Sequence, residues 1–418
     1  MEEKQKRKIW QQPWKYKEGF IVGLGLVLIG FLLEIATNGR GVKLMSWPVN
    51  GIIGVVFVNI LIGLHLFFKS NPIIKWLSTI PAAITASCML TILVLLLGLT
   101  PQDEASAPQI IRKIGLSHLT TSWTFALIML YFMTSLGFVT LRRSAKLTRK
   151  NMGFLLNHLG LWITLFAGIM GSGDLKRISM ELSEGGHFSN TALGSNNQIF
   201  KINLSLKLID FQMEEYPPKL AFVDTIEGKV ISERGSNLLA AQKGVKETIN
   251  GYQIEILDYI ESAIQDSTGE FSPKKFYGAP IAIKVKVSGA KLAEKTGWIS
   301  CGSFMFPPIP MTLNSKLALV LLEPEAKKFS STMEYMTKDG KHDTMLIEVN
   351  KPVKIGGWKI YQSSYDSEKG KFSEISIIEL VNDPWLPLVY FGIFMMMAGA
   401  IYLFWIGRSK PITENKEL

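Results

Sequence analysis

Six runs of about 20 apolar residues constrain this chain most, because each is long enough to cross a bilayer as a helix. They lie near Phe20–Ala36, Val49–Phe68, Trp76–Leu99, Thr121–Leu141, Met152–Gly171 and Leu386–Gly407. Five precede a long polar stretch and the sixth follows it. The expected fold is therefore a multi-pass α-helical membrane protein with six transmembrane helices. A large extracytoplasmic domain is expected between helices five and six.

The basic residues fix the orientation. The 418 residues carry a formal net charge of +10, yet only 19% are charged. The excess sits in short segments beside apolar runs, as the positive-inside rule requires, so it does not point to nucleic acid. Lys4, Lys6, Arg7, Lys8, Lys15 and Lys17 hold the N-terminal tail in the cytoplasm. Lys69 and Lys75, then Arg142, Arg143, Lys146, Arg149 and Lys150, and finally Arg408 and Lys410 all fall on that same side. Both termini are thus expected inside and Ser172–Asp383 outside. The first run is longer than the core of a signal peptide and no A-x-A pattern follows it, so it reads as a permanent span.

Ser172–Asp383 is long enough for one sizeable core. Ile199–Phe211, Ile281–Val287 and Glu374–Leu380 alternate apolar and polar residues, while Tyr252–Ile260 and Leu317–Leu322 read as more buried strands. Turn residues such as Lys338-Asp339-Gly340 separate them. This pattern predicts an antiparallel, mostly β domain, either a sandwich or an open barrel. Phe304–Pro310 (FMFPPIP) reads as an ordered Pro-rich loop. No hydrolytic motif or metal-ligand spacing stands out around His187 or His342. Asp366 and Asp383 read as solvated carboxylates. Cys88 and Cys301 belong to different environments, and no C-x-x-C occurs.

What chemistry the chain carries rests on histidines. His158 sits inside the fifth apolar run (MGFLLNHLGLWITLFAGIM), and ionisable groups within a membrane are functional candidates by default. Neutral imidazole is a common metal ligand and holds the iron in many haem proteins. The plain alternative is a hydrogen bond between helices. His158 and Trp162, at i and i+4, share one helix face. His65, four residues before Lys69, is a further candidate in the cytoplasmic half. A pair of such histidines on adjacent helices would clamp one iron, although contact with interfacial water is the ordinary reading of His65. His118, ahead of the fourth run and near Trp123, reads as an ordinary interfacial residue. Gly160, Gly168, Gly171 and Gly173 make the fifth helix narrow on parts of its surface.

Several segments resemble one family. Ala82–Gln102 (ending LLLGLTPQ), Gly115–Phe125 (GLSHLTTSWTF), Phe154–Gly168 (FLLNHLGLWITLFAG) and Leu182–Gly185 carry it, with Val349–Asp366 (VNKPVKIGGWKIYQSSYD) and Asn382–Phe391 (NDPWLPLVYF) the most specific. Over roughly residues 76–410 the chain is similar to the ResB/CcsB family, a membrane component of the system II machinery for cytochrome c biogenesis. The resemblance divides the chain into an N-terminal two-helix extension (1–75), a three-helix core (76–171), the β-rich domain (172–383) and a final helix with its tail (384–418). It implies that His158 is an axial ligand of a haem b held in the bacterial cytoplasmic membrane. A CcsA/ResC-like partner would supply the second ligand, so this chain would be a subunit of a holocytochrome c synthase without a complete active site of its own. Haem would pass outward to an apocytochrome c whose cysteines are kept reduced by thiol-reducing partners. The first two helices, with His65, depart from the usual four-span pattern and leave the role of His65 open. A second reading, from another class, is a cofactor-free membrane-anchored sensor whose outer β domain binds a ligand. A transporter is disfavoured because no inverted repeat is evident.

Overall fold

The computed structural model describes residues 8–103, 107–145, 147–195, 197–231, 238–289 and 292–406. Lys4, Lys6, Arg7, Lys146, Gly407, Arg408 and Lys410, which enter the expected topology, lie outside the described residues. The chain divides into two compact units, one formed by the N-terminal 175 residues with the C-terminal segment from Asp383, the other by Lys176–Asn382.

The first unit is helical. Its described helices are α1 (Tyr16–Ala36), α2 (Val49–Phe67), α3 (Pro72–Leu77), α4 (Ile80–Leu99), α5 (Gln109–Lys113), α6 (Trp123–Ser144), α7 (Arg149–Gly171) and α8 (Leu386–Ile406). Among the described residues, six helical segments are long and apolar enough to cross a membrane, and they include α1, α2, α4, α6, α7 and α8. Trp76, read as the start of the third run, belongs instead to the short α3, which Asn71 caps by accepting the Ile73 amide. The break falls where Ser78, Thr79 and Pro81 interrupt the apolar sequence. Ser122 caps α6, Thr148 caps α7, and Asp383 caps α8 by accepting the Trp385 and Leu386 amides at 3.1 and 3.0 Å. Asp383 is therefore a helix cap and not merely a solvated carboxylate.

Small residues let these helices approach closely. Gly19 and Gly23 of α1 rest on Thr85 and Met89 of α4, and Gly30 rests on Thr124 of α6. The α7–α8 contact also brings backbone against backbone. A Cβ on Gly160 would lie 2.6 Å from the Met396 amide nitrogen and 2.7 Å from the Gly392 carbonyl oxygen. Only glycine allows that approach.

The second unit is antiparallel β throughout its described strands. Its largest sheet runs in the order His342–Glu348, Ala326–Thr337, Ile199–Glu215, Ser189–Gly194, Lys176–Ser183, Ile375–Asn382, Trp358–Tyr365 and Val353–Ile355. Ile202, Leu204, Leu206 and Leu208 alternate inward along one strand, as the two-residue period of a half-buried strand demands. The sheet curls over this core. Ser331 Oγ donates to Ser376 Oγ at 2.7 Å across it, although three strands lie between theirs in the hydrogen-bonded order. Two smaller sheets share a second core around Phe222, Ile254, Ile283 and Leu319. The unit therefore combines a curled sheet with a sandwich-like pair.

Candidate functional site

His158 lies near the middle of α7, half-buried. Its Nδ1 is 3.0 Å from the Phe154 carbonyl oxygen one turn earlier. A carbonyl oxygen can only accept, which assigns the proton to Nδ1 and leaves the lone pair of the neutral ring on Nε2. Among the described residues Nε2 has no hydrogen-bond partner. An imidazole whose other N–H is tied to a backbone carbonyl is oriented for metal ligation, because tautomer and ring plane are both fixed. The plane is fixed again by stacking. The His158 and Phe154 ring centroids are 3.6 Å apart at 21°, and the Arg143 guanidinium lies 4.8 Å from the Phe154 centroid. Arg143 Nη1 donates in turn to Asn151 Oδ1 at 3.1 Å.

One turn further along α7, Trp162 Nε1 donates to the Met133 carbonyl of α6 at 3.1 Å. Phe57 of α2 and Phe166 of α7 both stack on this indole, at 6.4 and 4.8 Å with nearly parallel planes. Beyond the stack, α2, α6 and α7 enclose a partly open apolar cavity of about 890 Å³.

His65 lies on α2 and makes neither a hydrogen bond nor a ring contact with His158 among the described residues. It nevertheless lies on the same seam. Gly54 faces Phe166 and Phe57 faces Trp162, so α2 and α7 run antiparallel. Continuing that register sets Leu61 level with His158 and His65 level with Phe154, one turn nearer the start of α7. The clamp of one iron by two imidazoles is thus not formed in this arrangement.

The buried carboxylates Glu34 and Asp174 are not singled out by the sequence pattern. Glu34, fully buried near the end of α1, accepts the Gly41 amide at 2.9 Å and the Trp123 amide at 2.8 Å, and pairs with His118 Nε2 at 3.1 Å. His118 is therefore held by a buried partner and is not an ordinary surface histidine. A lone carboxylate inside an apolar run is the local signal that could have marked Glu34. Asp174 accepts the Trp47 amide, Asn50 Nδ2 and Trp385 Nε1 at 2.7, 2.6 and 2.7 Å, tying α2, α7 and α8 together at one end. Its partners are remote in sequence, so no local pattern reveals it.

In the β unit, Cys301 is buried, its thiol is pushed up by that burial, and Sγ contacts the Ile281 carbonyl at 3.7 Å. Burial likewise pushes the Tyr259 hydroxyl up to about 12. Neither arrangement generates a nucleophile at neutral pH. His187 and His342 are exposed, and His342 meets the edge of Phe188 at 5.8 Å. Among the described residues no group of three or more His, Cys, Asp or Glu is placed to hold a metal ion.

Six bilayer-length helices together with an antiparallel β unit are the build of a multi-pass membrane protein. Residues 302–379, within the β unit, match the ResB-like family, and this match supports assignment to the ResB/CcsB family. It points to involvement in cytochrome c biogenesis. No curated protein matches the chain.

Proposed function

We propose that the chain is the ResB half of a system II cytochrome c synthase, binding haem b within the bacterial cytoplasmic membrane through His158. The observation that carries this reading is the Nδ1–H···O=C bond to Phe154, which leaves Nε2 as a ligating lone pair in an apolar helix. When bound, haem supplies the vinyl groups that join apocytochrome c thiols outside the membrane. The protein's own part is to hold and aim the imidazole, through Phe154 and Arg143, and to keep water from it within apolar helices. A ligating imidazole would also tune the iron's potential. The second ligand comes from a CcsA/ResC-like partner, since His65 lies a turn away from the level of His158. The basic connections support six spans with both ends cytoplasmic and the β unit outside. That unit, with a buried thiol and exposed histidines, serves for docking and not for chemistry.

The test is maturation in cells. His158→Ala should lower holocytochrome c output at least about tenfold, since losing even an outer partner of a metal ligand costs that much, with the chain still present in the membrane. Undiminished output would overturn the proposal.

A further inference from the structure

The cavity beyond Trp162 has a graded lining. Its deep end is formed by Phe57 and Phe166, both stacked on Trp162, with the thioethers of Met129 and Met133 beside them. Its other end gathers Lys43, Thr120, Thr121 and Ser172, which lie just outside the ends of α2, α6 and α7. Lys43 is exposed and has no carboxylate partner among the described residues. Near-parallel aromatic rings and polarisable sulfur favour a flat conjugated body. A single cation with hydroxyls at one end favours carboxylates there. The volume of about 890 Å³ lies within the range of small-molecule pockets. One wall is α2, which is outside the four-span pattern of the related family.

We propose that this cavity is a second station for the porphyrin, on the far side of Trp162 from His158, holding the macrocycle against the aromatic floor with its carboxylates toward Lys43. The inference rests on the haem reading above for the identity of the ligand, and on the cavity alone for its location. His158 is one turn before Trp162, and the lining of the cavity on α7 begins at Thr164. A planar ligand leaving the imidazole therefore moves about 9 Å along α7, the rise of six residues, to enter it.

The test uses metal-free protoporphyrin IX, which has no iron and so no need of an axial ligand. Binding to the full chain in nanodiscs is measured with empty nanodiscs subtracted. Gly168 faces open space and lines the cavity, so Gly168→Leu should fill it without displacing a neighbour. It should weaken binding about tenfold. Lys43→Glu, in a loop, should weaken it about fivefold by reversing the anchoring charge. In a separate arm, His158→Ala should abolish the imidazole-ligated Soret spectrum of added haemin, a signature that occupancy of the cavity alone does not give. Unchanged affinity in both cavity variants would overturn the proposal, as would a phospholipid that copurifies with the chain and is lost in Gly168→Leu while porphyrin binding persists. Porphyrin binding that depends on the cavity, together with a haemin spectrum indifferent to His158, would instead sink the haem-ligand reading and keep the cavity.

Discussion

At the scale of single residues, backbone carbonyls and carboxylates do most of the positioning. Phe154 O decides which nitrogen of His158 carries the proton, and the Phe154 ring decides the plane. Glu34 plays the corresponding part at the far end of the helical unit. One fully buried carboxylate there takes two backbone amides and an imidazole, and so closes the segment between α1 and α2 against the start of α6. Replacing it by alanine leaves buried donors without an acceptor, at about 1–3 kcal/mol each. Glu34→Ala should therefore lower the thermal unfolding midpoint of the detergent-solubilised chain by several degrees, and Glu34→Gln, which keeps one acceptor oxygen, by clearly less. Equal midpoints for Glu34→Ala and the parent chain would contradict this role.

At the scale of elements, strand Trp358–Tyr365 shows how far a two-residue period carries. Tyr361 and Tyr365, four residues apart, are expected on one face of a regular strand, turned outward, with Trp358 in the core. Trp358 does pack against the large core together with Ile360. A register shift between Gln362 and Ser364 then adds one residue to the strand. Tyr365 consequently pairs with buried Ser376 and turns inward, against Phe211 at 5.6 Å and Phe329 at 4.9 Å, while Tyr361 pairs with Glu379 on the other face. A bulge of this kind reverses every side chain after it. Tyr365 is half-buried but carries two aromatic contacts, so Tyr365→Ala should cost about 2 kcal/mol in chemical unfolding, and Tyr361→Ala less than about 1 kcal/mol. Similar losses for the two would show that they share an environment after all. Bulges depend on which partner strand lies opposite, which is why this one is invisible in the local sequence.

At the scale of the whole molecule, the six apolar runs and the alternating strands are legible in the sequence because each is set by a local period. Long-range pairing is not. Asp174 meets residues 127, 124 and 211 positions away, and α1 is built into α4 and α6 through Gly19, Gly23 and Gly30, which local hydropathy does not foretell. His158 was legible as an ionisable group in an apolar run. The Phe154 contact and the cavity beyond Trp162 needed three helices in place. His65 was readable as a candidate, and only the α2–α7 register sets it a turn from His158. Ligation of haem iron by His158 Nε2 is open to a direct test by the absorption spectrum of the full chain copurified with its membrane partner, comparing the parent with His158→Gly before and after adding free imidazole. The variant should lose most of its Soret absorbance, and imidazole, filling the vacated position, should restore it. A His158→Gly complex with the parent's haem content and spectrum in the absence of imidazole would contradict ligation by His158.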